Sequence, residues 1–229
     1  VGGKQHLRTR VGYLLEELAD LNDHLAEADV ELDRVVCHMD TDVSPWQIVD
    51  QVESLPILEQ IGQLDWLLSF TTLNDAEQVN LATEALFSLA RCPGSRLLFA
   101  PFLDLDRTMD VTQGLLDRMC NPRPVFHTIR TLNTILFSSP EIWQAIDVPS
   151  IRDCVSFGLK REGEMLWLLL PKAKLEEKIR LDLTSVWSGA EDYDQVYLIN
   201  LTNSSVQPNS GDSPVVFNAP SLVRFTSGS

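Results

Sequence analysis

The sequence predicts an all-α fold of stacked helical hairpins, followed by an irregular, partly β C-terminal tail. Three observations predict it. Apolar residues recur at helical spacing from Leu14 to Val35, one apolar pattern is written twice between Val79 and Ile151, and beyond residue 189 the composition turns to Asn, Ser, Pro and Gly. The expected organisation is a helical domain over 1–189, with a long acidic heptad helix at 11–38 and a repeat-like core at 79–159. An Asn/Ser/Pro-rich tail over 190–229 completes it.

Composition narrows the function classes. A chain of 229 residues with 44% apolar content can bury a sizeable core. Its longest dense apolar run, Met165 to Leu170, is far shorter than the roughly 20 residues of a bilayer-spanning helix, so no membrane span is expected. The opening VGGKQH has no initiator methionine, as expected of a fragment or a processed chain. Cys37, Cys92, Cys120 and Cys154 form no C-x-x-C pair and read as free thiols, which fits a reducing, intracellular and cytoplasmic setting. The net charge of −15 resides in one region: between Gly12 and Gln78 there are 16 acids against the single base Arg34. Phosphate contact needs clustered Lys and Arg, so nucleic acid is excluded as a partner of this region. A solvated acidic surface and a protein partner with a basic surface both remain open.

The first element is the heptad helix. Leu14, Leu18, Leu21, Leu25, Ala28, Leu32 and Val35 follow spacings of four and three, with Glu17, Asp29 and Glu31 beside the seam. Like charges there disfavour self-pairing. Ser44, Pro45 and Gln47 then spell a capped helix start. After Pro56, Ile57, Ile61, Leu64, Leu67 and Leu68 make a second apolar face, with Trp46 and Trp66 as core fillers.

The doubled pattern follows. A shift of 47 positions lays Val79 on Phe126, Ala82 on Ile129, Ala85 on Leu132, Leu89 on Leu136 and Pro93 on Pro140. Each copy predicts a helix, a proline turn and a second helix: the first from Asn74 to Ala90 and again from Ser95, the second from Pro124 and again through Ile142, Trp143 and Ile146. Pro149 starts a further helix containing Ile151, Val155 and Leu159, Glu162 to Leu170 reads as a dense apolar helix, and Lys172 to Trp187 as an exposed amphipathic one. In the tail, Val196–Ile199, Val215–Phe217 and Leu222–Phe225 read as short strands that pair with the body or with another chain.

This apolar pattern resembles the armadillo/HEAT-like helical repeats over about residues 79–151. The resemblance implies a solenoid, or else an irregular helical bundle, whose exposed groove binds a protein or peptide without a cofactor or metal. The function so implied is a non-enzymatic interaction scaffold or adaptor. The alternative is a structural subunit of a large assembly, a viral capsid or organelle complex, joined through 190–229. A third reading rests on Phe102-Leu103-Asp104-Leu105-Asp106-Arg107-Thr108, which resembles the D-x-D-x-T motif of haloacid-dehalogenase-like phosphatases. That resemblance implies Asp104 as nucleophile and Asp106 as acid/base with Mg²⁺, and Gly211-Asp212 is similar to the family's later G-D motif. On the residues alone, Asp104 and Asp106 read as helix-capping acids in a turn.

Overall fold

A computed structural model defines every residue except 1, 40, 56–57, 71–73, 105–113, 173–177, 184–192, 210–212 and 228–229, and only the backbone of 2–13. The chain is mixed α/β, with strands in most of the places where the sequence predicts paired helices. It folds as two compact units, residues 1–74 with 81–121 and residues 75–80 with 122–229.

The first unit alternates helix and strand: α1 (Gly2–Glu27), β1 (Leu32–Met39), α2 (Pro45–Glu53), β2 (Ile61–Ser69), α3 (Asp75–Leu89, from Leu81 onward in this unit) and β3 (Leu97–Ala100). Such alternation builds a parallel sheet, because each crossover returns the chain to the same end. The strand order is β1-β2-β3 and both pairings are parallel. The heptad helix ends earlier than expected, at Glu27 instead of near residue 38. Asp29 takes a left-handed φ of 55°, and the Val30 N–H returns 3.0 Å to the Leu25 carbonyl, which closes α1. Leu32 and Val35, the last two heptad positions, are already strand residues.

Alternation along β1 and β2 defines two faces. Cys37, Met39, Trp66, Leu68 and Phe70 are buried, and Phe70 stacks on Phe99 with ring centroids 5.9 Å apart. Buried residues of the crossovers, Ile48 and Val49 in α2 and Ala85, Phe87 and Leu89 in α3, supply the rest of this core. The Ser44 hydroxyl caps α2 by accepting the Gln47 N–H at 3.4 Å. Trp46 meets Phe87 at 6.2 Å and lies beneath the Arg91 guanidinium at 4.0 Å, while Arg91 pairs with Asp50 at 2.8 Å.

Glu84 is enclosed in this contact. It accepts the Ser44 hydroxyl and the Trp46 N–H, the latter at 3.2 Å. Burial raises its pKa, and the two hydrogen bonds only partly oppose that. The folded state therefore holds the Glu84 proton more tightly than the unfolded chain does. Its contribution to stability is complete below the ordinary value of 4.5 and is lost as pH rises through the folded value. Glu84→Gln stays neutral and keeps an oxygen for both donors. The variant is expected to melt higher than wild type at pH 7, with the difference shrinking toward pH 4; parallel melting curves across that range would refute the assignment.

The second unit holds α4 (Pro124–Leu136) and eight strands: β4 (Gln144–Ile146), β5 (Cys154–Arg161), β6 (Glu164–Pro171), β7 (Ile179–Leu181), β8 (Gln195–Asn200), β9 (Ser205–Asn209), β10 (Val215–Phe217) and β11 (Ser221–Thr226). Six form an antiparallel sheet, β4-β5-β6-β11-β8-β9, and β7 pairs with β10. Met165, Trp167, Val196, Leu198, Val223 and Phe225 on one face of the sheet pack with Leu181, Val215 and Phe217 of the β7–β10 pair. The opposite face carries α4, where the Thr128 hydroxyl donates to the Leu201 carbonyl at 2.8 Å and Thr131 meets the Ser204 hydroxyl at 2.6 Å. Gly163 turns the β5–β6 hairpin at φ 68°, which places Arg161 opposite Glu164.

The helical repeat is thereby overturned. Its first helices exist, as α3 and α4, but the second member of each hairpin is a strand: β3 in place of the helix from Ser95, and β4 in place of the helix through Trp143. The expected helices at 149–159 and 162–170 are β5 and β6, and Ile179–Leu181 is a strand, not part of an amphipathic helix. The three runs read as β-like coincide with β8, β10 and β11, yet they are no tail: β11 lies between β6 and β8. The expected boundary at 189/190 falls outside the described residues. All four cysteines are free, Cys37 and Cys154 buried and Cys120 exposed. Among the described residues no helix is long and apolar enough to cross a membrane.

Candidate functional site

A parallel βα sheet presents ligand-binding groups at the carboxyl ends of its strands, where the strand-to-helix loops converge. In the first unit that edge is formed by Met39, by Ser69 and Phe70, and by Ala100 followed by a cis Ala100–Pro101 bond. The face turned away from the buried core is ordered in rows by the register. Val36 lies beside Asp65, then His38, Leu67 and Leu98 form a row, and Ser69 and Ala100 form the last row before the edge.

This face is open. Val36 is 54% exposed and Leu98 41%, and Phe102, just past the edge, is 58% exposed. Parallel sheets are ordinarily covered on both faces, and their strands are apolar on both for that reason. Asp65 on this face is buried; it accepts from Arg34 at 2.8 Å and from the Arg96 N–H at 2.9 Å, tying β1 to the segment entering β3. Arg34 also donates to the Gly94 carbonyl at 3.1 Å. That set is a structural clasp below the rows, and the strand-end rows stay free of it.

The loop after β3 is itself clasped. The Asp104 N–H donates to the Leu116 carbonyl at 3.1 Å, the Leu116 N–H to the Phe102 carbonyl at 3.0 Å, and the Asp104 carboxylate accepts the Gly114 N–H at 2.6 Å. A side chain at Gly114 would put its Cβ 2.6 Å from the Asp104 nitrogen, so this turn requires glycine. Of the two motif acids, Asp104 is placed in this turn and Asp106 lies outside the described residues. The D-x-D-x-T reading asks for a motif after the first strand of a doubly wound sheet. Here Asp104 follows the third parallel strand, so the phosphatase resemblance does not carry over. Gly211 and Asp212 are outside the described residues, and Asn209 bonds the Ser213 carbonyl at 3.0 Å.

What the edge can do is bind. It offers an exposed aromatic ring at Phe102, an apolar row at Leu67 and Leu98, and the polar side chains of His38 and Ser69. Among the described residues no group of three or more His, Cys, Asp or Glu is placed to hold a metal ion. Sequence reasoning missed His38, Ser69 and Phe102 as a set. The available signal was the alternation Val36, His38 against Cys37, Met39, which has the period of a strand.

No family model matches the chain, and no curated protein matches its sequence. Solved structures do resemble it. A family 39 glycoside hydrolase from the gut symbiont Bacteroides cellulosilyticus WH2 superposes with a TM-score of 0.53 at 15% identity, over 79% of this chain and 38% of that one. A GH30 endoxylanase from Clostridium papyrosolvens C71 superposes with a TM-score of 0.50 at 10% identity, over 86% of this chain and 49% of that one. The chain thus spans less than half of either protein. At these identities the likeness speaks to the fold alone: the neighbours are TIM-barrel-like folds, and this chain is mixed α/β. The scaffold reading rested on the helical repeat and falls with it, the assembly subunit rested on a strand-forming tail whose strands instead belong to the second unit's own sheets, and the non-enzymatic reading goes with both.

Proposed function

We propose that this chain supplies part of a carbohydrate-active enzyme of the glycoside-hydrolase type, with its parallel strands forming one arc of a (β/α) barrel. The observation that carries the reading is the open sheet face. Three parallel strands that carry Val36, Leu67 and Leu98 on the face turned away from the buried core match one arc of the eight-stranded barrel, whose inner face is packed by layers of such residues. Val36, Leu67 and Leu98 are suited to that interior, while Ser69, His38 and Phe102 lie where barrel enzymes hold substrate.

Glycoside hydrolysis uses two carboxyl groups flanking the scissile bond, about 5–5.5 Å apart for retention and about 6.5–9.5 Å apart for inversion. Of the two described carboxylates between β3 and α4, Asp104 is engaged by the Gly114 N–H and Asp117 by Met119 and Asn121, so their part in this reading is to shape the rim. Phe102 would stack on the C–H face of a sugar ring, and His38 and Ser69 would hydrogen-bond hydroxyls and fix the ring's orientation.

Binding of the purified chain to xylan, mannan and starch, with release of reducing ends measured alongside, tests this. Retention by at least one polysaccharide is expected, weakened about fivefold or more in Phe102→Ala through loss of ring stacking. A chain that binds none of them, or whose binding ignores Phe102, overturns the reading.

A further inference from the structure

On the second unit, α4 does not cover the six-stranded sheet completely. Between the helix and strands β8, β9 and β11 lies a groove of about 560 Å³, within the size range of small-molecule sites. The groove is lined by two arginines, Arg130 from α4 and Arg224 from β11, and by no carboxylate.

The two arginines are held differently. Arg224 is positioned from behind: its Nε donates at 2.5 Å to Oε1 of buried Glu164, whose other oxygen is taken by Arg161 at 2.8 Å. One carboxylate thus serves two guanidiniums, which leaves a net positive charge at the base of the groove. The Arg224 side chain remains 34% exposed, with its terminal nitrogens outside that contact. Arg130 is exposed and forms no ion pair among the described residues. Around them stand Tyr197, whose hydroxyl donates to Gln195 at 2.7 Å, the Thr131 hydroxyl and the apolar side chain of Val206.

We infer that this groove binds an acidic oligosaccharide, with a uronate carboxylate at Arg130 and Arg224 and a neighbouring sugar ring against Tyr197. A planar guanidinium matches a carboxylate in a two-point hydrogen bond, which a neutral hydroxyl cannot reproduce. The volume far exceeds one small anion, and the mixed wall of aromatic, aliphatic and hydroxyl groups suits a polyhydroxylated ring. The inference rests on the carbohydrate reading above, but the groove belongs to the second unit and shares no residue with the strand ends.

The test is calorimetric titration of the full chain with trigalacturonate, the uncharged galactotriose and inorganic phosphate. Trigalacturonate is expected to bind about tenfold or more tightly than galactotriose, the gap narrowing as salt is raised because exposed charges are screened. Arg130→Ala, at an exposed position, is expected to close that gap with the melting temperature unchanged. Tyr197→Ala is expected to weaken the acidic trimer several-fold. Equal binding of the two trimers, binding of phosphate as tight as that of trigalacturonate, an Arg130→Ala variant that binds as wild type, or no binding of trigalacturonate would each overturn the inference. Polysaccharide retention that depends on Phe102 while Arg130→Ala is silent removes this inference alone; loss of both removes the carbohydrate reading with it.

Discussion

Glu164→Ala is expected to destabilise the antiparallel unit by about 3–5 kcal/mol, the cost of stranding a buried charge. Both carboxylate oxygens are used: Oε2 takes Nε of Arg161 at 2.8 Å and its Nη2 at 2.5 Å, and Oε1 takes Arg224. Most of the effect comes from Arg161, whose side chain is 6% exposed, lies 4.2 Å over Trp143 and gives one further hydrogen bond, to Ser138 at 3.2 Å. Arg224 contributes less, because solvent already screens it. Glu164→Gln keeps the acceptors and loses the charge, so an intermediate cost is expected. In the double variant Arg161→Met/Glu164→Leu no charge is left stranded, and much of the loss should return. Urea unfolding followed by tryptophan fluorescence reads all three. A single alanine variant with the wild-type midpoint would show that Arg161 finds another partner, and the assignment of the cluster would fail.

The same arginine–glutamate pair shows what was hidden in the sequence. Glu162 and Gly163 form a two-residue turn between apolar runs, but Met165 to Leu170 is apolar at every position and fits a buried helix as well as a strand. Both faces of β6 are covered, so no alternation was left to read. The parallel strands failed for a related reason. Leu64, Leu67 and Leu68 satisfy helical spacing because Leu67 puts an apolar residue on the open face of β2, and only Leu64, Trp66, Leu68 and Phe70 carry the strand period. Helices with local punctuation were legible: Pro124 opens α4, and Ser44 with Pro45 opens α2. The candidate edge needed the register of three strands far apart in sequence, and no local pattern announces that.

Trp66→Ala tests which face of the sheet holds the first unit together. Trp66 is 1% exposed and lies in register between Cys37 and Leu97, so its truncation should cost about 3–5 kcal/mol from lost burial and the cavity left behind. Leu98 belongs to the neighbouring strand but to the opposite face and is 41% exposed; Leu98→Ala should change stability by no more than about 0.5 kcal/mol. Denaturation midpoints of the two variants give the comparison directly. A large asymmetry means that the unit is stable on its buried face alone, which leaves the rows of Leu67, Leu98 and Ser69 open, as the proposed binding at the strand ends requires. Equal losses would mean that the open face is packed in solution, as it would be against a second copy of the chain. The strand-end edge would then be closed to a polysaccharide, and Phe102→Ala would leave binding unchanged.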